Sequence, residues 1–206
     1  MTNIKQVYNA HARWRKSTRG DKTEMQYLIE KLEEHKYVYF IRTNCEETTP
    51  EDIFFAHPES INMLYTFTTV LVVDSTYKTN MYKMPLFETV SVTSTNMTYY
   101  VAFAFLAFEK EGNFTWVMEM LVALLSSKLN MPNVVVIDRD NAMMNDVSKV
   151  LPETAALLCC FHIGKNVKVK CITNCRVKPK PKDVKVDGKE VKEMNASDIV
   201  NNITRA

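Results

Sequence analysis

Two aspartates in this chain each close a short run of apolar, mostly β-branched residues. Asp74 follows Val70, Leu71, Val72 and Val73; Asp138 follows Val134, Val135, Val136 and Ile137. Such runs predict buried strands, with a carboxylate at the C-terminal end of each. Two carboxylates held together in a partly buried cleft repel one another and are costly unless a cation neutralises them. Mg²⁺ or Mn²⁺ takes carboxylate oxygens, and Mg²⁺ keeps waters that a phosphate can replace. Two such ions, about 3.5–4 Å apart, can activate a nucleophilic water or hydroxyl and stabilise a leaving oxygen in phosphodiester cleavage. The simpler alternative is that each aspartate caps a turn or a helix. It has most force at Asp138, where Asp140 and Asn141 also precede a helical pattern.

The elements that must position these side chains are legible around them. Strands are predicted at 70–73, 86–94 and 99–108, with Thr95 and Asn96 as turn residues, and the short connections favour antiparallel pairing. A helix follows, with Asn113 as its N-cap and Phe114, Val117, Met118, Leu121, Leu124 and Leu125 on one face. A fourth strand at 134–137, a helix carrying Met143, Val147 and Val150, and a fifth apolar run at 155–160 complete the series. The order β-β-β-α-β-α-β is that of the α/β ribonuclease-H-like fold, a mixed sheet whose first and fourth strands are neighbours. Asp74 and Asp138 end those two strands and are expected to meet.

Before this core lies a small helical region. Ile4, Val7, Tyr8 and Trp14 fall near helical spacing up to Gly20. A capping box, Thr23 with Gln26, then opens a second helix with Met25, Leu28, Ile29 and Leu32 on one face. Between the two helices the reading places a basic cluster around an aromatic: Arg13, Trp14, Arg15, Lys16 and Arg19. It is a candidate for contact with DNA, as is Lys78 just past Asp74, although helical hairpins more often serve as packing units. A β-like run at 37–42, a polar loop at 44–50 and a helix starting at Pro58, with His57 at its start, follow.

The 206 residues carry 26 Lys+Arg against 24 Asp+Glu, a net charge of +2. That near-neutrality is uneven. Residues 165–206 hold 11 basic and five acidic side chains, a net of +6, which leaves −4 for the rest. This Lys- and Pro-rich tail has few large apolar groups and is expected to be disordered. Five cysteines at irregular spacing do not suggest a disulfide framework. No apolar run reaches the roughly 18 residues of a membrane span, so no membrane partner is expected. The division expected is a helical region at 1–52, a catalytic-type core at 53–168 and the tail at 169–206.

The blocks VLVVDSTYKTN, FTWVMEMLVALL, MPNVVVIDRDNAMMND and LLCCFHIGKNV, in that order, resemble the transposase domain of Mutator-like elements (MULE). They are also similar to the far-red-impaired-response regulators related to it. The resemblance implies a nuclear, DDE-type transposase of ribonuclease-H-like fold that uses Mg²⁺ or Mn²⁺. Its partner would be DNA, at transposon ends or promoters, with self-association as a further option. By position, Asp74 in DSTYKTN matches the first catalytic aspartate and Asp138 in VIDRD the second, with Asp140 as a nearby rival. Cys159 and His162 match the family's C-x-x-H.

DDE chemistry needs a third carboxylate, which this family carries well beyond the C-x-x-H. Glu190 and Glu193 are the glutamates past His162, and neither stands in the family's context. The expectation is a truncated, catalytically incomplete copy. The alternative is a non-catalytic DNA-binding or transcription-regulating protein derived from such a transposase. Zinc is not expected: Cys159 or Cys160, His162, Cys171 and Cys175 are suitable ligand types, but their spacing departs from common zinc patterns.

Overall fold

The computed structural model describes residues 3–44, 50–77, 80, 82–125, 131–138, 141–174, 185–186 and 189–190. Helices α1 (Ile4–Arg19) and α2 (Glu24–Glu34) lead into strands β1 (Val38–Thr43) and β2 (Pro50–Ala56), then α3 (Pro58–Thr66). The core continues with β3 (Val70–Thr76), β4 (Leu86–Val92), β5 (Thr98–Phe105), α4 (Glu111–Leu124), β6 (Val134–Ile137), α5 (Asn141–Val150), β7 (Ala155–Leu158) and α6 (Cys160–Asn174). A two-residue ribbon, β8 (Lys185–Val186) with β9 (Lys189–Glu190), lies in the tail, most of which is outside the described residues.

Seven strands form one mixed sheet in the order β1-β2-β5-β4-β3-β6-β7. Strand β3 pairs antiparallel with β4 and parallel with β6, while β6 and β7 are parallel. Within β3 to β7 the spatial order is third, second, first, fourth, fifth, with the second strand reversed. This is the ribonuclease-H-like arrangement. The parallel pairs require crossover connections, which α4 and α5 supply.

Alternation decides which side chains enter the core. Leu71, Val73, Phe87, Val135 and Ile137 are buried on one face. Helix α4 packs there, with the rings of Phe87 and Phe114 6.0 Å apart. Phe54, Phe87 and Phe114 are almost fully buried; each contributes roughly 1.5–3 kcal/mol of transfer free energy. The other edge is open. All four residues of β7 are exposed, as are Phe161, Val167, Val169 and Ile172 of α6.

Three expectations are corrected. Asn113 does not cap α4: the helix begins at Glu111 after Lys110, and Asn113 is buried inside its first turn. The basic cluster does not lie between helices, because α1 continues through Arg19 before Gly20, at φ 65, ends it. Residues 50–56, of which Pro50 was expected in a loop and the rest were given no strand, form β2 and pair with β1 and β5. The capping box at Thr23 and Gln26 is present, and His57 caps α3 by accepting from the Glu59 N–H at 3.2 Å.

Candidate functional site: paired aspartates at the strand ends

Strands β3 and β6 run in parallel register, Val70 with Val134, Leu71 with Val135 and Val72 with Val136. Continuing that register by two residues sets Asp74 beside Asp138, on neighbouring strands roughly 4.8 Å apart. Each aspartate comes one residue after a buried core residue, Val73 or Ile137. Alternation therefore turns both away from the face covered by α4. Asp74 is half-buried, and the Asp138 side chain is 40% exposed. The Ser75 N–H donates to Asp74 Oδ1 at 2.9 Å.

Glu88, which the sequence reading passed over, is the direct partner of Asp74 across the antiparallel β3–β4 pair. It shares the face of the two aspartates. Its signal in the sequence is weak: it is a half-exposed position in an alternating strand, ordinary until pairing is known. Glu109, in the turn after β5, accepts from the Ser75 hydroxyl at 2.7 Å and so approaches the same strand end.

The C-x-x-H segment also comes to this end of the sheet. The Cys159 N–H donates to the carbonyl of Ile137 at 2.7 Å, and His162 Nδ1 lies 3.7 Å from Asp138 Oδ1. Cys171 is brought nowhere near. From His162 to Cys171 helix α6 rises about 14 Å. Cys175, Lys78 and Asp140 lie outside the described residues.

Among the described residues, no three His, Cys, Asp or Glu side chains are gathered into a metal-holding group. The donors at the strand ends nonetheless fit a hard divalent cation in kind. Asp74 and Asp138 offer carboxylates at adjacent register positions on one face of the sheet, and the buried Nδ1 of His162 has no hydrogen-bond partner.

Arg13, Arg15, Lys16 and Arg19 all lie on α1, a helix with no buried residue and no acidic one. Lys5 joins them, while Arg19 is drawn away by an ion pair with Glu24 at 3.0 Å. Trp14 is exposed and stacks on His11, with ring centroids 5.9 Å apart.

The strand order and the aligned carboxylates define a ribonuclease-H-like domain. Residues 70–166 match the MULE transposase domain. That stretch, just under half of the chain, is similar to the MULE transposase domain family. Protein FAR1-RELATED SEQUENCE 4 of Arabidopsis thaliana is 26% identical over 140 residues, covering 68% of this chain and 19% of that protein. The PKS-NRPS hybrid synthetase cheA of Chaetomium globosum is 27% identical over 172 residues, 79% of this chain and 4% of that protein. The chain thus spans less than a fifth of these relatives. Among solved structures, the HTLV-2 integrase catalytic core domain, in complex with magnesium, aligns at 15% identity and a TM-score of 0.31, covering 55% of this chain and 77% of that one.

Proposed function

We propose that this chain provides the nuclease-type domain of a Mutator-like DNA transposase, with Asp74 and Asp138 as its metal-binding catalytic carboxylates. The observation that supports this reading is the parallel β3–β6 register, which, continued by two residues, sets Asp74 of β3 beside Asp138 just past β6. A bound divalent ion supplies charge neutralisation and activation of a water or hydroxyl for attack on a DNA phosphodiester. The chain's own part is to hold two carboxylates on rigid central strands, fasten Asp74 through the Ser75 N–H, and leave the site accessible. Mn²⁺ titration of the full chain tests this. Asp74→Asn and Asp138→Asn should each weaken binding by more than tenfold, and unchanged affinity in both would sink the assignment.

A second reading, a DNA-binding regulator without cleavage activity, is favoured by helix α1, which is basic, lacks acidic residues and buries none of its side chains. Both readings need a surface for DNA, and helix α1, with Arg13, Arg15, Lys16 and Lys5 facing solvent, suits phosphate contact. Replacing Arg13, Arg15 and Lys16 by Gln should reduce the salt dependence of DNA affinity by about one unit of slope per lost phosphate contact. An unchanged slope would remove α1 from the interface. A nuclear location and self-association through the open β7 edge belong to the same proposal; sedimentation of the purified chain tests the latter, and imaging of a tagged chain the former.

A further inference from the structure

The C-x-x-H segment meets two consecutive residues at the end of β6, bonded to Ile137 and close to Asp138. Cys159 donates its N–H to the carbonyl of Ile137 at 2.7 Å, and its own carbonyl accepts from the Ile163 N–H at 3.1 Å, starting the first turn of α6. That turn carries His162 back over the end of β6. Its Nδ1 comes to 3.7 Å from Asp138 Oδ1. The nitrogen is sealed from solvent and makes no hydrogen bond, although the side chain as a whole is 20% exposed. A buried polar nitrogen left without a partner is costly, and here it faces the carboxylate.

We propose that His162 is a positioning residue for Asp138: its Nδ1–H closes onto Oδ1 and fixes the carboxylate's orientation when a divalent ion is bound at the strand ends. The inference rests on the reading of Asp138 as a metal-binding carboxylate. Ligating carboxylates are themselves held by hydrogen bonds, and removing such an outer partner typically weakens metal affinity 10–100-fold. The spacing of the motif follows from this geometry. One helical turn separates the backbone group that grips Ile137 from the imidazole that faces Asp138, the next residue. Only the backbone of Cys159 is used, so its thiol is dispensable, whereas the His162 ring is not.

The full chain, titrated with Mn²⁺ by calorimetry, tests this. His162→Ala should bind Mn²⁺ 10–100-fold more weakly. His162→Asn, which keeps a donor near the Nδ1 position, should recover most of the loss, and Cys159→Ala should bind as the parent does. A second readout uses the chain with ¹⁵N-labelled histidine. Mg²⁺ should shift the ring signals of His162 and leave those of His11, His35 and His57 unchanged, and Asp138→Asn should abolish the shift. If His162→Ala proves unfolded, His162→Asn and the ring signals decide. Parent-like affinity in His162→Ala, or a His162 ring indifferent to Mg²⁺, overturns the inference. If Asp138→Asn loses Mn²⁺ while His162→Ala keeps it, the metal site stands and only the role of His162 falls. A parent chain that takes up no Mn²⁺ overturns both.

Discussion

Two places in this sheet hold carboxylates, and they are built in opposite ways. Asp52, on β2, is fully buried, and each of its oxygens has a partner. Arg42 donates through Nε to Oδ2 at 2.6 Å and through its second guanidinium nitrogen as well; the Ala107 N–H donates to Oδ1 at 2.9 Å, and Asn113 Nδ2 donates at 3.0 Å. Arg42 is in turn held by the Gly112 carbonyl at 3.1 Å and lies over the Trp116 ring at 5.2 Å. Asp74 and Asp138 are partly exposed and lie at adjacent register positions on neighbouring strands. A saturated carboxylate serves the fold. Two partly exposed carboxylates on neighbouring strands stay accessible to something that arrives from solution.

The largest effect expected from this contrast is at Asp52. Asp52→Ala strands a half-buried guanidinium and releases the β5–α4 turn, and should cost about 3–5 kcal/mol in guanidinium-chloride denaturation. A loss under 1 kcal/mol would mean that the network contributes little. The double variant Asp74→Asn/Asp138→Asn should do the reverse, keeping stability within about 0.5 kcal/mol of the parent while losing Mn²⁺ binding. If it unfolds the chain, the two regions are not different in kind. Asn113→Ala, which removes one donor but leaves Arg42 and the Ala107 N–H, should cost about 1.5 kcal/mol by the same assay.

The smallest effect concerns a third carboxylate of intermediate character. Asp146 of α5 is buried; Thr115 donates to its Oδ1 at 2.5 Å, but Oδ2 has no partner. Burial pushes its pKa above the ordinary carboxylate value, outweighing the Thr115 hydrogen bond, with Glu111 adding to the rise and Lys149 opposing it. The protonated form is thus favoured by folding. Its stabilising contribution is fully present below the unfolded-state pKa of about 3.9 and is lost as pH rises through the higher folded-state value. Thermal melts across mildly acidic pH should show this fall, and Asp146→Asn should flatten it. An equal slope in both proteins would assign the effect to other groups.

What could be read without coordinates follows one rule: local pattern suffices where the determinant is local. The valine runs before Asp74 and Asp138, the capping box at Thr23 and Gln26, and Pro58 after His57 each carry their cause within a few residues. Asn113 was misassigned for the complementary reason. Asn is a favoured cap by intrinsic preference, but its amide is claimed by Asp52, 61 positions away, and Lys110 takes the cap position instead. Strand β2 was missed because Pro50, Glu51 and Asp52 break the strand pattern; it forms because β1 and β5 supply ladder partners on both sides and Arg42 neutralises Asp52.

The sequence by itself determined that an apolar strand run precedes each of the two aspartates and that the element order is that of a ribonuclease-H-like sheet, since periodicity and β-branching act over a handful of residues. Strand β3 runs on past Asp74 to Thr76, because β4 supplies ladder partners there. Only the tertiary structure decided which other side chains share that end of the sheet. Glu88 is joined to Asp74 by antiparallel pairing, Glu109 to Ser75 by a turn after β5, and His162 to Asp138 by the first turn of α6. Each of these depends on the registration of chain segments distant in sequence, and no local pattern encodes that.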